Sequence, residues 1–142
     1  MTTRRRARQV VLQLLFLDDV NPVREPQEDD RFLSRRLLGN KPLIGFAAEL
    51  LRGVRASRPE LDKIIGGSAA NWSVKRMSTI DRNILRMATY EIYHTNVPPP
   101  VVINEAIELA KRFGQQNSGV FVNGILDRTV KNKAAAAAAA PA

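Results

Sequence analysis

The sequence has 142 residues, of which 25% are charged, with a formal net charge of +8 and no cysteine. A chain of this length predicts one domain with a single hydrophobic core. The lack of cysteine excludes disulfides and cysteine metal sites. The basic balance favours a polyanionic partner, either nucleic acid or an anionic membrane surface, with a generic basic surface as the alternative.

The first predicted helix runs from about Thr3 to Asp19 and joins an arginine cluster to an apolar stripe. The apolar positions follow helical spacing and are Ala7, Val10, Val11, Leu14 and Leu15. The arginine cluster consists of Arg4, Arg5, Arg6 and Arg8. Forked guanidinium donors on a rigid helix can bind phosphate oxygens, so the cluster predicts an RNA-binding surface. A solvated, frayed helix end is the alternative.

The same segment also resembles a secretory signal peptide, because a cationic stretch precedes an apolar one. However, Gln13 interrupts the short apolar run, and Asp18-Asp19 follow it without a small-residue cleavage site. No stretch approaches the roughly 18 apolar residues of a membrane span. These features predict an amphipathic helix in a cytoplasmic protein without a membrane partner.

Residues 20–30 are rich in proline and acids and predict a solvated loop. Its acids could repel RNA or compete for the arginines when RNA is absent, although a plain linker is the simpler interpretation. Helices are then predicted over 31–38 and 42–56, followed by one that Ser57 caps with Glu60 as its capping-box partner. Trp72 falls in the next linker and is expected to pack into the core.

Ser78 is predicted to cap the strongest helix of the chain, with Asp81 at its third position. The buried stripe of this helix consists of Ile80, Ile84, Met87, Ala88 and Ile92. Glu91 falls near the stripe and needs a partner if it is buried.

Two more helices complete the pattern. One is predicted over 102–113 with Gly114 as its C-cap, and the last begins at Asn117 or Ser118. Seven consecutive alanines over 134–140 predict a poorly ordered or extended helical tail. We therefore expect one domain over residues 1–133 and a low-complexity tail over 134–142.

The sequence shows no catalytic pattern. His94 is the only histidine, and without cysteines neither a metal site nor a nucleophilic triad is expected around it. No glycine-rich phosphate loop or nucleophile elbow is present, so we predict no enzyme, metal or cofactor. For single-stranded RNA, Phe16 and Phe121 are candidate stacking residues, with core packing as the alternative for each.

After the arginine cluster, further blocks occur in a defined order: Asp81-Arg82-Asn83-Ile84-Leu85-Arg86-Met87-Ala88 with Tyr90-Glu91, Val97-Pro98, Ile103-Asn104-Glu105-Ala106-Ile107-Glu108-Leu109-Ala110-Lys111, Phe113-Gly114, and Phe121-Val122-Asn123-Gly124-Ile125-Leu126-Asp127. Together they resemble the signatures of the NusB transcription antitermination family over about residues 3–131. The resemblance implies an all-α fold of about seven helices, in two small packed bundles around the N-terminal helix.

The resemblance also implies a function. Family members bind boxA-type leader RNA of ribosomal RNA operons together with ribosomal protein S10 (NusE), and support the RNA polymerase antitermination complex. Carried over to this sequence, Asp81 faces S10. The residues implied to bind RNA are Arg4, Arg5, Arg6, Arg8, Phe16, Asn117, Ser118 and Phe121.

Three points stay open. Members of the family occur as monomers and as homodimers, so a homodimer is possible. The chain could be the RNA-recognition module of a ribosomal RNA cytosine methyltransferase, which requires a catalytic cysteine in a further domain and applies only to a fragment. It could also be a helical scaffold that binds S10 alone.

Overall fold

The computed structural model describes residues 2–140, which form seven α-helices and contain no strand. These residues separate into two compact units, with the boundary between Ala56 and Ser57. The prediction of an all-α fold with about seven helices is therefore confirmed.

The first unit contains α1 (Arg4–Val20), α2 (Pro26–Arg36) and α3 (Lys41–Ala56). Helix α1 packs mainly on α3, and α2 packs on both. The predicted apolar stripe of α1 is buried. Other buried apolar side chains of this unit are Leu12, Leu33, Leu37, Ala47, Leu50, Leu51 and Val54.

Helix α2 begins earlier than the sequence analysis predicted. Pro26 occupies its first turn together with Glu28 and Asp29, so the second half of the expected loop is helical. Proline lacks the amide that would be unsatisfied at a helix start, and acids there interact favourably with the helix dipole. A composition rich in proline and acids suits a helix start as well as a loop, which is why the prediction was wrong here.

The second unit contains α4 (Arg58–Ser68), α5 (Thr79–His94), α6 (Pro99–Phe113) and α7 (Ser118–Ala139), with a 3₁₀ turn (Val74–Arg76) before α5. Helix α6 packs against α5 and α7, and α4 also packs against both. Most of the predicted stripe of α5 is buried, and so is Glu91. Helix α7 continues through the alanines to Ala139, while the last two residues of the tail lie outside the described part of the chain.

One of the two predicted serine caps is present. Ser78 Oγ accepts a hydrogen bond from the amide of Asp81 at 3.2 Å and so caps α5. The capping box at Ser57 is wrong, because the Ser57 side chain makes no capping bond and its backbone is not extended. Glu60 instead places its carboxylate 3.1 Å from Nε2 of His94.

A buried guanidinium joins α4 to α5. Arg86 donates from Nε and Nη2 to the two carboxylate oxygens of Asp62, at 2.7 and 2.9 Å. Its Nη1 donates to Oδ1 of Asn83 at 3.2 Å. The two parallel hydrogen bonds to one carboxylate fix the orientation of the guanidinium. The negative charge of Asp62 compensates the positive charge of Arg86 within the unit.

The turn between α6 and α7 depends on a close approach at Gly114. A Cβ atom there would lie 2.6 Å from Oγ of Ser118 and 2.7 Å from the carbonyl oxygen of Ala110. The Gly114 amide donates to that same carbonyl at 2.9 Å, as predicted for a C-cap. Ser118 Oγ also accepts from the amide of Gln115 at 2.9 Å, so the turn has no room for a side chain.

We expect Gly114→Ala to lower the free energy of unfolding by about 1–3 kcal/mol, because overpacking forces backbone and Ser118 apart. Chemical denaturation followed by circular dichroism measures this change. Gly124→Ala is the matched control, since a Cβ at Gly124 meets nothing within 4 Å. That control should raise stability by about 0.5–1 kcal/mol through helix propensity, and equal effects of the two variants would contradict the steric argument.

Candidate nucleic-acid interface

The arginine cluster lies on a capped helix start. Thr3 Oγ1 accepts a hydrogen bond from the amide of Arg6 at 3.1 Å, so α1 is regular from Arg4 onward. The first turn contains no acid. A helix start already carries partial positive charge, and the added arginines make this end of α1 strongly cationic.

The four arginines differ in how much of them reaches solvent. Arg4 and Arg5 are exposed, and Arg6 is half-buried with Nη1 donating to Oε1 of Gln9 at 3.3 Å. Arg8 is only 5% exposed. The first three can therefore offer donors to a ligand at the surface, whereas Arg8 is mostly enclosed.

Phe46 of α3 organises two of these arginines. The guanidinium carbon of Arg4 lies 4.6 Å from the centre of the Phe46 ring, and that of Arg8 lies 5.1 Å from it. Both distances suit cation–π attraction. The sequence analysis missed Phe46, since a phenylalanine in a predicted core helix gives no local sign of a cationic neighbour.

The second group of candidate residues lies at the start of α7, in the second unit. Asn117 is the exposed N-cap residue, and Ser118 is buried with its hydroxyl held in the Gly114 turn. Phe121 is half-buried, and its ring makes an edge contact with the ring of Trp72 at 5.5 Å. Asn117 and Phe121 can present an amide and an aromatic ring, whereas Ser118 shapes the turn beneath them.

The remaining candidates are half-buried. Phe16 lies in the C-terminal part of α1. Asp81 lies in the first turn of α5, where its Oδ1 is buried without a hydrogen-bond partner among the described residues. Only the rest of this carboxylate is accessible at the surface.

The predicted burial of Trp72 in the core is wrong. The indole is 54% exposed and does not pack into the core as predicted. Its edge contact with Phe121 accounts for where the ring is held, at the surface of the second unit.

An ion-pair network in the first unit was not predicted. Asp18 accepts from Nη2 of Arg24 at 2.6 Å and from Nη2 and Nε of Arg55 at 2.8 and 2.9 Å. Asp29 pairs with the same two arginines, at 3.3 Å from Arg24 and 2.9 Å from Arg55. The network links the end of α1, the following loop, α2 and α3.

These charges line a surface cavity of about 690 Å³ in the first unit. Burial alone would raise the pKa of Asp18, but hydrogen bonds from Arg55 and Arg24 outweigh it and hold that pKa below its usual value. Burial would likewise lower the pKa of Arg55, and its bonds to Asp18 and Asp29 raise it instead. Asp18 and Arg55 are thus held in their charged forms, and their opposite charges offset each other in the cavity wall.

No described helix is long and apolar enough to cross a membrane. The fold and the arginine cluster define the class of protein: an all-α protein with a cationic helix start. A sequence profile described as the NusB family matches residues 5–131. The chain belongs to the NusB family.

Relatives match along most of their length. Transcription antitermination protein NusB of Anaeromyxobacter dehalogenans (strain 2CP-1 / ATCC BAA-258) is 43% identical over 129 residues, covering 90% of this chain and 91% of that protein. Transcription antitermination protein NusB of Geotalea uraniireducens (strain Rf4) is 41% identical over 135 residues, covering 89% and 93%.

Solved structures share the fold. T. maritima NusB has 39% sequence identity and a TM-score of 0.80, covering 92% of this chain and 93% of that chain. A NusB chain solved as "Antitermination Factors NusB and NusE in complex with dsRNA" has a TM-score of 0.81 at 24% identity, covering 91% and 96%. At 24% identity, the similarity to this second structure supports the fold alone.

We expect Asp18→Asn to flatten the dependence of stability on acid pH. A carboxyl with a lowered folded-state pKa stabilises the fold above its unfolded-state pKa of about 3.9, and this contribution is lost as pH falls through the folded value. The wild-type free energy of unfolding should therefore fall more steeply below about pH 4 than that of the variant. At pH 7 the variant should be less stable by about 0.5–3 kcal/mol.

Urea denaturation at pH values between 7 and 3 measures both effects. Asp30→Asn is the matched control, because Asp30 is an exposed acid that lines the same cavity. Identical pH profiles for wild type and Asp18→Asn would show that the network does not stabilise the unit.

Proposed function

We propose that this chain is a non-enzymatic, RNA-binding transcription antitermination factor. It binds boxA-type leader RNA of ribosomal RNA operons together with ribosomal protein S10, acts in the cytoplasm and supports an RNA polymerase antitermination complex. The observation that carries the proposal is the capped arginine cluster at the start of α1. Membership of a family whose curated relatives are named for transcription antitermination supports the role. Residues 1–133 act as the RNA-binding domain.

Electrostatics explain why the cluster suits a phosphate backbone. The start of α1 combines the positive end of a helix dipole with three accessible arginines and no acid in its first turn. Like charges held this close repel one another, and bound phosphates relieve that repulsion. Anions bind readily at helix starts for the same reason, and forked guanidinium donors add hydrogen bonds.

The candidate residues divide into two roles. Exposed or partly exposed side chains contact RNA, and they are Arg4, Arg5, Arg6, Phe16, Asn117 and Phe121. Arg8 and Ser118 are buried and act indirectly. Arg8 packs on Phe46 and keeps the helix start in place, and Ser118 holds the Gly114 turn beneath Asn117.

Asp81 is the proposed contact for S10. Asp81 is half-buried in the first turn of α5, so the accessible part of its carboxylate can face a cationic or amide donor from a partner protein. The structure of antitermination factors NusB and NusE in complex with dsRNA, described above, contains a chain with the same fold. That complex is the precedent for this part of the proposal. In this proposal RNA and S10 bind one protein together, and the protein acts by tethering the RNA.

The arginine assignment predicts a change in salt dependence. We expect Arg5→Ala plus Arg6→Ala to weaken binding of a boxA-containing RNA and to reduce the slope of log K against log salt by about 1.4, or about 0.7 for each lost phosphate contact. Fluorescence anisotropy with labelled RNA between 50 and 200 mM salt, a range chosen around physiological strength, measures both quantities.

The matched control removes the same charge from another helix of the same unit. Arg31 and Arg35 are exposed on α2, so Arg31→Ala plus Arg35→Ala lowers the net charge equally. This control should leave the slope nearly unchanged. Equal losses in the two double variants would mean that binding follows net charge alone, and that the arginine cluster is not the site.

The S10 assignment predicts that Asp81→Asn weakens binding of S10 by about tenfold, because a hydrogen bond to a charged group is lost. Isothermal titration with purified S10 in the absence of RNA measures this. Asp127→Asn is the control, since Asp127 is an exposed acid of the same unit that pairs with Lys131. Unchanged S10 affinity in Asp81→Asn would rule this residue out as a contact.

A further inference from the structure

The indole of Trp72 is the largest aromatic surface that this chain leaves in solvent. It is 54% exposed and belongs to the connection between α4 and the 3₁₀ turn. The backbone forms a turn there, in which the Trp72 amide donates to the carbonyl oxygen of Ala69 at 3.2 Å. A large apolar ring kept in water costs free energy that packing inward would recover, so its position needs an explanation.

Phe121 holds the ring of Trp72 in place without enclosing it. The ring centres lie 5.5 Å apart with an interplanar angle of 78°. Such a T-shaped contact sets the edge of one ring against the face of the other. The indole is therefore oriented by α7 while more than half of its surface stays accessible. A fixed, accessible aromatic face is what a nucleobase needs for stacking.

The surroundings of this aromatic pair are cationic. Lys75 and Arg76 are exposed in the 3₁₀ turn that follows Trp72. The sequence from Asn71 to Arg76 contains no acid, and neither does the stretch 114–126. A phosphate next to a base stacked on Trp72 would meet these two cations.

We propose that Trp72, supported at its edge by Phe121, is a stacking site for an unpaired RNA base. The proposal rests on the RNA-binding function proposed above and adds a base contact in the second unit. Unpaired bases are commonly held on aromatic side chains that flanking cations accompany, and this arrangement provides both. A protein partner on the same ring is the competing possibility, and the charges favour RNA.

The single tryptophan makes the test direct, because all indole emission of the chain comes from Trp72. Wild-type protein is titrated with a boxA-containing single-stranded RNA, with and without S10, while tryptophan emission and the anisotropy of labelled RNA are both followed. Any tryptophan in S10 would add its own emission to the signal. Parallel titrations with Trp72→Leu measure that S10 emission, which is then subtracted from the wild-type signal. We expect quenching of Trp72 that saturates together with RNA binding.

Variants separate stacking from folding. Trp72→Leu should weaken RNA binding about 5-fold or more, the range found when a stacking ring is removed, and Trp72→Phe should restore part of it. Phe32→Leu is the aromatic control. Phe32 is an aromatic residue of the first unit that contacts Arg36 and has no proposed role in RNA binding. Replacing bases of the RNA one at a time by abasic sites should identify one position that weakens binding to wild type but not to Trp72→Leu.

Each outcome decides the proposal. Saturating quenching together with the abasic coupling supports it. RNA binding with unchanged emission and full affinity of Trp72→Leu overturns it and leaves the proposed function intact. A shift of emission by S10 alone, with loss of S10 affinity in Trp72→Leu, makes Trp72 a protein contact and overturns it too. If the wild type binds no RNA in either condition, the proposed function and the stacking site both fail.

Discussion

The pairing of α1 with α3 is the constraint on which the first unit depends. Near one end of α1, Phe46 of α3 contacts Arg8, and near the other end Arg55 of α3 pairs with Asp18. These contacts are separated by about 15 Å along α1 and about 14 Å along α3, at 1.5 Å of rise per residue. Because the two spacings match in the same order, the helices run in the same direction and are fixed near both ends. Helix α2 makes the return connection.

The two ends of α1 differ in how their charges are compensated. Both ends carry charges of the wrong sign for the helix dipole, arginines at the start and an acid near the end. At the end, Arg55 and Arg24 neutralise Asp18 within the unit. At the start, α3 supplies an aromatic ring, which attracts cations but cancels no charge. The exposed guanidinium groups of Arg4 and Arg5 therefore stay where an external anion can reach them.

Local rules predicted several of the features that depend on neighbours in sequence, although the Ser57 capping box was wrong. The Ser78 cap and the Gly114 C-cap involve residues three or four positions apart, and both are present. The Asp18–Arg55 pair spans 37 positions, and no local pattern links its members. The exposure of Trp72 likewise depends on Phe121 of another helix. Most of the helices were therefore predictable, and the side-chain environment of the candidate site was not.

Burial separates residues that look alike in the sequence. Arg5 and Arg8 belong to one cluster, yet one is exposed and the other enclosed, because the helical turn carries Arg8 to the side of Phe46. A cluster of arginines in sequence is therefore not a list of ligand contacts. In the structure, three of the four arginines of the cluster reach the surface, and Arg8 packs beneath them on Phe46.

This reduction bears on how the proposed function could be selective. Guanidinium contacts with phosphates position RNA but carry no sequence information, so the arginine cluster supplies affinity for any RNA. Selection of one leader sequence requires contacts with bases. In this chain the groups suited to bases occur in both units: the Trp72 and Phe121 rings and the Asn117 amide in the second, and the Phe16 ring in the first, which also carries the arginines. Under the proposal, the arginines supply affinity that is independent of sequence, whereas the base contacts add both affinity and selectivity. Under the same proposal, S10 bound at Asp81 would act in the second unit, which carries three of these base contacts, so S10 would sharpen RNA preference through the base contacts rather than through the arginines.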